Sequence, residues 1–121
     1  MIRSVSTRTF RVTVRGAFTN LDVAQRDELL AHAAEHDILR AAFTADGHVT
    51  YDIATRPFFT CRFEATGDTA GDIGPAATRA EARARAWLTE RGYGFKNLAA
   101  QAEDLSDTPL GKRERHAAAS P

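Results

Sequence analysis

The stretch from Thr9 to Phe18 constrains the fold more than any other part of the chain. It reads Thr-Phe-Arg-Val-Thr-Val-Arg-Gly-Ala-Phe, so Phe10, Val12 and Val14 alternate with Arg11, Thr13 and Arg15. A period of two assigns the apolar set to one face of a strand and the polar set to the other. A strand buried on both faces would be apolar throughout, so the pattern predicts a sheet covered by helices on one side and bare on the other.

The chain after this strand supplies both the helices and the partner strands. Thr19-Asn20 offers a helix N-cap, with Asp22 in the first turn where a negative charge suits the helix dipole, and the helix is expected to run to about His36. Val23, Leu30 and Ala34 share one stripe of it, Leu29 and Ala33 its margin, and Gln25, Glu28, His32 and Glu35 the opposite side. From Ile38 to Ala54 the pattern predicts a hairpin, with Ala45-Asp46-Gly47 as the loop and Gly47 in the left-handed position. That register pairs Phe43 with Val49, Ala41 with Tyr51 and Leu39 with Ile53 on the apolar face, and Arg40 with Asp52 on the other. Pro57 breaks the chain before a strand from Phe58 to Ala65, in which Phe59, Cys61 and Phe63 point inward and Thr60, Arg62 and Glu64 outward.

A loop from Thr66 to Pro75 precedes a second helix, whose apolar side comprises Ala76, Ala80, Ala84, Trp87 and Leu88 and whose stop signal is Gly92. Residues 93–105 fit a last strand or a short helix, and the strand is favoured. The predicted order, β-α-β-β-β-α-β, describes an α+β fold: a ferredoxin-like variant with a mainly antiparallel sheet and two helices on one face. A flexible N-terminal arm over 1–8, a single domain over 9–110 and a disordered tail over 111–121 complete the expected organisation.

Composition narrows the function classes. Sixteen basic residues balance sixteen acidic ones, so no overall field draws the chain to nucleic acid or to an anionic membrane. No run approaches the length of a membrane span, and the basic N-terminus lacks the apolar core of a signal peptide. The single cysteine, Cys61, cannot form an internal disulfide, which points to a reducing cytoplasm. Fourteen of the sixteen basic residues are arginine, a bias that reads as codon usage rather than as anion recognition.

Four strings, Arg-Thr-Phe-Arg-Val-Thr-Val-Arg-Gly (8 to 16), Thr-Tyr-Asp (50 to 52), Arg-Pro-Phe-Phe-Thr (56 to 60) and Pro-Leu-Gly-Lys-Arg (109 to 113), resemble those of a family of short, uncharacterised actinobacterial proteins. The resemblance runs from about Arg8 to Arg113. It implies a compact soluble protein of this size and carries over no catalytic residue.

Several chemistries fail on their residues. His32-Ala-Ala-Glu35-His36 matches the H-x-x-E-H pattern of inverted zinc proteases, yet all three groups are assigned to the solvent side of the helix and no third ligand is evident. No metal site and no cofactor are therefore expected. Val12 to Gly16 resembles the first strand of acylphosphatases, but the glycine-rich, arginine-bearing loop of those enzymes is missing. Gly92-Tyr-Gly94 follows a helix and lacks the third glycine of a dinucleotide fingerprint. Cys61, between Phe59 and Phe63, reads as a core thiol, and His48 as a solvated loop residue. The outward sheet positions include no aromatic side chain on which bases would stack, so nucleic acid is not an expected partner.

Two places remain. The outward face gathers Arg11, Arg15, Arg40 and Arg62 with Asp52, where cross-strand pairing is the bland reading and an anion site the sharper one. Beneath the helices, Phe43, Tyr51, Phe63, Trp87 and Tyr93 form either plain core or an apolar pocket, with Tyr51 and Trp87 its ligand-binding candidates. The expectation is a homodimeric binding protein for a small molecule or a protein partner. The alternative is a small cofactor-independent enzyme using Asp52, the one catalytic candidate, with the neighbouring arginines.

Overall fold

The alternation in the first strand has the consequence its period requires. In the computed structural model, which describes residues 7–106, Phe10, Val12 and Val14 are completely buried while Arg11 and Arg15 stay exposed. Strand β1 (Arg8–Thr19) is followed by helix α1 (Val23–Ala31), strands β2 (His48–Tyr51) and β3 (Phe58–Gly67), helix α2 (Ile73–Glu90) and strand β4 (Gly94–Asp104). The four strands pair with one another antiparallel, and the sheet order is β2-β3-β1-β4.

One face of this sheet carries the core. Val12 lies opposite Phe63, Val14 opposite Cys61, Val49 opposite Cys61 and Tyr51 opposite Phe59, and all join one cluster with Leu29 of α1 and Ala80, Ala84 and Leu88 of α2. Both helices therefore share the apolar side. In α2 the buried positions are Ala76, Ala80, Ala84 and Leu88, one residue per turn. Three small alanines bring the helix axis close to the sheet, and Leu88 fills the space that remains. Trp87 reaches the same cluster from its margin.

Residues 93–105 resolve as the expected strand, with one irregularity. Between Arg15 and Ala17 the β1–β4 register shifts, so Asn97 and Leu98 together oppose Gly16. Asn97 takes the left-handed conformation, φ 58°, that such a bulge demands, and asparagine is among the few non-glycine residues to adopt it readily.

The hairpin expected over 38–54 is corrected. Its turn exists: Gly47 has φ 91°, and its N–H donates to Thr44. The arm before the turn is not a strand, because Ile38–Arg40 forms a 3₁₀ turn capped by Asp37, and its one bridge to the sheet is the parallel one from Thr44 to Phe63. The physical reason lies at the β2 edge. The Tyr51 N–H donates to the His36 carbonyl, and the His36 ring binds the Val49 carbonyl at 2.8 Å, so the edge that Leu39 and Ala41 would have lined is already occupied. Leu39 is left 91% exposed. The sheet has four strands among the described residues, not five.

The same contacts shorten α1. It ends at Ala31 rather than near His36, and its N-cap is Asp22, which forms a reciprocal capping box with Gln25. Asn20 instead makes a left-handed turn, φ 52°. The buried residue of α1 is Leu29, whereas Val23, assigned to the apolar stripe, is 77% exposed. At the start of α2, Asp72 accepts from the N–H groups of Thr69 and Asp68, which hold its carboxyl below the usual carboxylate range. Pro75 lies in the first turn, where a missing N–H is harmless. Of the arm expected over 1–8, Arg8 opens β1 and Thr7 precedes it, while residues 1–6 and the tail over 111–121 lie outside the described residues.

Candidate functional site

Strand parity assembles the site. With Phe10, Val12 and Val14 turned inward, β1 presents Arg11, Thr13 and Arg15 on the open face, and β3 adds Thr60, Arg62 and Glu64. Arg15 lies opposite Thr60 and Thr13 opposite Arg62, so Arg15 and Arg62 occupy diagonal positions, within reach of one another for such long side chains. Arg62 donates to the Thr50 hydroxyl at 2.8 Å. Partial burial, and then the charge of Arg15, pull its pKa below the ordinary guanidinium value. Arg11 stands between Glu64 on β3 and Glu103 on β4, with its guanidinium 4.8 Å from the centre of the Phe43 ring. Among the described residues no ion pair forms at Arg11, Arg15 or Arg62.

Two depressions lie on this side of the molecule, one taking in Arg15 and the other reaching Thr60, the residue opposite Arg15. One, of about 370 Å³, lies over Arg11, Thr13, Arg15 and Phe43. The other, of about 570 Å³, is a groove between the end of α1, the 3₁₀ turn and the β2–β3 connection, with Leu30, Ile38 and Phe58 on its walls and Thr50 and Thr60 on its strand side.

The remaining expected site residues are scattered. Arg40 sits in the 3₁₀ turn, off the sheet, and makes no pair with Asp52. Asp52 follows β2 on an exposed turn, where its carboxylate accepts from the Thr55 hydroxyl at 3.0 Å and its carbonyl accepts the Thr55 and Arg56 N–H groups. Tyr51 and Trp87 lie on the helix side of the sheet, away from the arginines. Tyr51 donates its hydroxyl to the Leu29 carbonyl at 2.6 Å, and Trp87 lies 5.7 Å from Tyr93, ring to ring. Of the two readings of the aromatics there, core describes Tyr51, Phe63 and Tyr93, which are buried, with the Tyr93 hydroxyl bound to the Glu28 carboxylate, and a depression of about 120 Å³ lies beside Phe63 and Trp87. Phe43 is not part of it; it stands over Arg11 on the opposite face.

Cys61 is buried, and removal from water pushes its thiol up to about 12, which suppresses the nucleophilic thiolate. The histidines of the H-x-x-E-H string part company: His32 binds Glu35 in solvent, whereas His36, expected on the solvent side, packs against Tyr51 at 5.0 Å. His48 approaches His36 at 6.0 Å and binds the Glu35 carbonyl, so it is not a free loop residue. Among the described residues no group of His, Cys, Asp and Glu side chains is placed to hold a metal ion.

The open face also holds aromatics that the sequence reading did not assign to it. Phe58 has the same parity as Thr60 and Arg62 and is 55% exposed. That parity is legible in the sequence, and it marks a large apolar side chain on a polar face. Phe43 carried no such signal, because the strand to which it was assigned does not form.

Fold and site together define a small α+β domain with a core on one side of its sheet and an arginine-bearing surface on the other. The chain belongs to DUF6204, a family of unknown function, whose profile covers residues 5–116. Neither a curated protein nor a solved structure matches the chain. None of the described helices is long and apolar enough to cross a membrane.

Proposed function

We propose that this chain is a non-catalytic binding protein that takes a small anion on its open sheet face and works as a homodimer in a reducing cytoplasm. The observation that carries the reading is the Arg15 and Arg62 pair, two guanidinium groups on a diagonal of the sheet with no carboxylate closing on either among the described residues. Like charges held side by side repel, and an oxyanion between them replaces the repulsion with charge-assisted hydrogen bonds. The hydroxyls of Thr13 and Thr60 stand at the flanking positions as further donors.

The β-α-β-β-α-β element order and the β2-β3-β1-β4 sheet support a four-stranded form of the ferredoxin-like plan, which leaves one sheet face free for such a ligand. Two copies facing each other across that surface would oppose their arginines, and a bound anion favours the pairing. Asp52 takes no part in this reading, since its carboxylate is engaged by Thr55 within its own turn.

The test is a titration of isotope-labelled protein with inorganic phosphate and with acetate, followed by backbone amide resonances. Shifts are expected at Arg11 to Arg15 and at Thr60 to Arg62, and they should disappear in the Arg15→Gln, Arg62→Gln double variant. An unresponsive spectrum, or equal shifts in the double variant, would remove the anion site.

A further inference from the structure

We infer that the ligand is an amphiphilic monoanion, one carboxylate carried on an apolar body, lying across the open face with its head between Arg15 and Arg62 and its body in the groove beside Phe58. The inference rests on the anion-binding reading above and adds the chemistry of the rest of the molecule.

The groove meets the arginine pair through two threonines rather than through the guanidinium groups themselves. Thr50, whose hydroxyl accepts from Arg62, and Thr60, which lies opposite Arg15, both line the groove, so its strand wall is also the border of the cationic patch. The remaining walls supply what a charged head alone would not need. Leu30, Ile38 and Phe58 are 41%, 61% and 55% exposed, three large apolar side chains left in water around one depression. At about 570 Å³ the depression falls within the size range of small-molecule sites. An apolar body laid there removes these side chains from water together with its own surface.

The rim limits the ligand to one charged group. Asp37 and Asp52 line the groove with Arg56 as the single guanidinium among them. Two carboxylates against one guanidinium disfavour a second oxyanion at that end. The head is thereby directed to the sheet and the body to the groove.

Three probes separate the contributions: octanoate, acetate and octanol, each titrated by calorimetry and by amide resonances. Octanoate is expected to bind at least about tenfold more tightly than either of the others, as the loss of a charge-assisted contact or of an apolar body requires. Phe58→Ser should bring octanoate down to the level of acetate and leave acetate unchanged, while Arg15→Gln should bring octanoate down to the level of octanol. Both substitutions fall at exposed positions, and thermal unfolding verifies that each variant is folded. Acetate binding as tightly as octanoate, with shifts at Arg15 and Arg62, would overturn the amphiphile and leave the anion site standing. Octanol matching octanoate would overturn the inference by removing the need for charge. No response to either anion would remove the anion site itself.

Discussion

Removal from water is the leading cause of the pKa shifts at Tyr51, Cys61, Arg62 and Tyr93. The Tyr51 hydroxyl, hydrogen-bonded to the Leu29 carbonyl, has its pKa raised from 10 to about 12, first by removal from water and then by the charges of Glu35 and Glu28. Tyr93 shifts upward for the same leading reason, with its hydroxyl on the Glu28 carboxylate. The unfolded chain releases the Tyr51 proton near pH 10 while the folded chain keeps it to about 12, so across that window the unfolded state binds fewer protons. Stability is undiminished by this residue below pH 10 and falls as pH rises from 10 toward 12. An ultraviolet titration should therefore show phenolate appearing together with the loss of circular dichroism. Phenolate formed at the ordinary tyrosine value by a chain that keeps its fold would mean that both hydroxyls are free in water. The period-two inward positions, Phe10, Val12, Val14, Phe59, Cys61 and Phe63, were readable directly from the sequence because strand parity needs no long-range information.

Among the elements, the two helices differ in how they are held. α2 packs along its whole length through Ala76, Ala80, Ala84 and Leu88, and that spacing is visible in the sequence. α1 buries only Leu29 and is otherwise held by the Tyr51 hydroxyl on Leu29, the Tyr93 hydroxyl on Glu28 and the Gln25 amide on the Gly92 carbonyl at 2.9 Å. Its facing is thus set by residues distant in the chain, which is why a wheel drawn through Val23, Leu30 and Ala34 picked the wrong stripe. The missing hairpin arm has a similar origin, since the alternation over 38–44 is genuine but His36 reaches the β2 edge first. The last strand is held in register by its bulge. Asn97→Val, which places a β-branched residue at φ 58°, should destabilise the fold by about 1–2 kcal/mol in urea denaturation, while Asn97→Gly should be close to neutral. Equal stability of the Val variant would show that the left-handed turn is not required.

For the whole molecule, the separation of an apolar side from a polar side was legible from β1 alone, and so were Arg11, Arg15 and Arg62 as members of one surface. The groove was not, because it is built where the end of α1, a 3₁₀ turn and the β2–β3 connection meet, and no local period encodes such a meeting. The proposed homodimer makes a prediction at this scale. Light scattering at micromolar concentration should return about twice the chain mass in the presence of octanoate, and the dimer fraction should fall as sodium chloride screens the arginine-to-anion contacts. A monomer under all of these conditions would exclude the homodimer.

The ring of Phe43 rises from the open surface above Arg11, at the opposite end from Phe58, and the adjoining backbone is tied down where the Thr44 carbonyl accepts the Glu64 N–H at 2.8 Å. It works as a fixed spacer. A partner that covers β1 and β3 must therefore accommodate this ring at one end of the face and the exposed ring of Phe58 at the other.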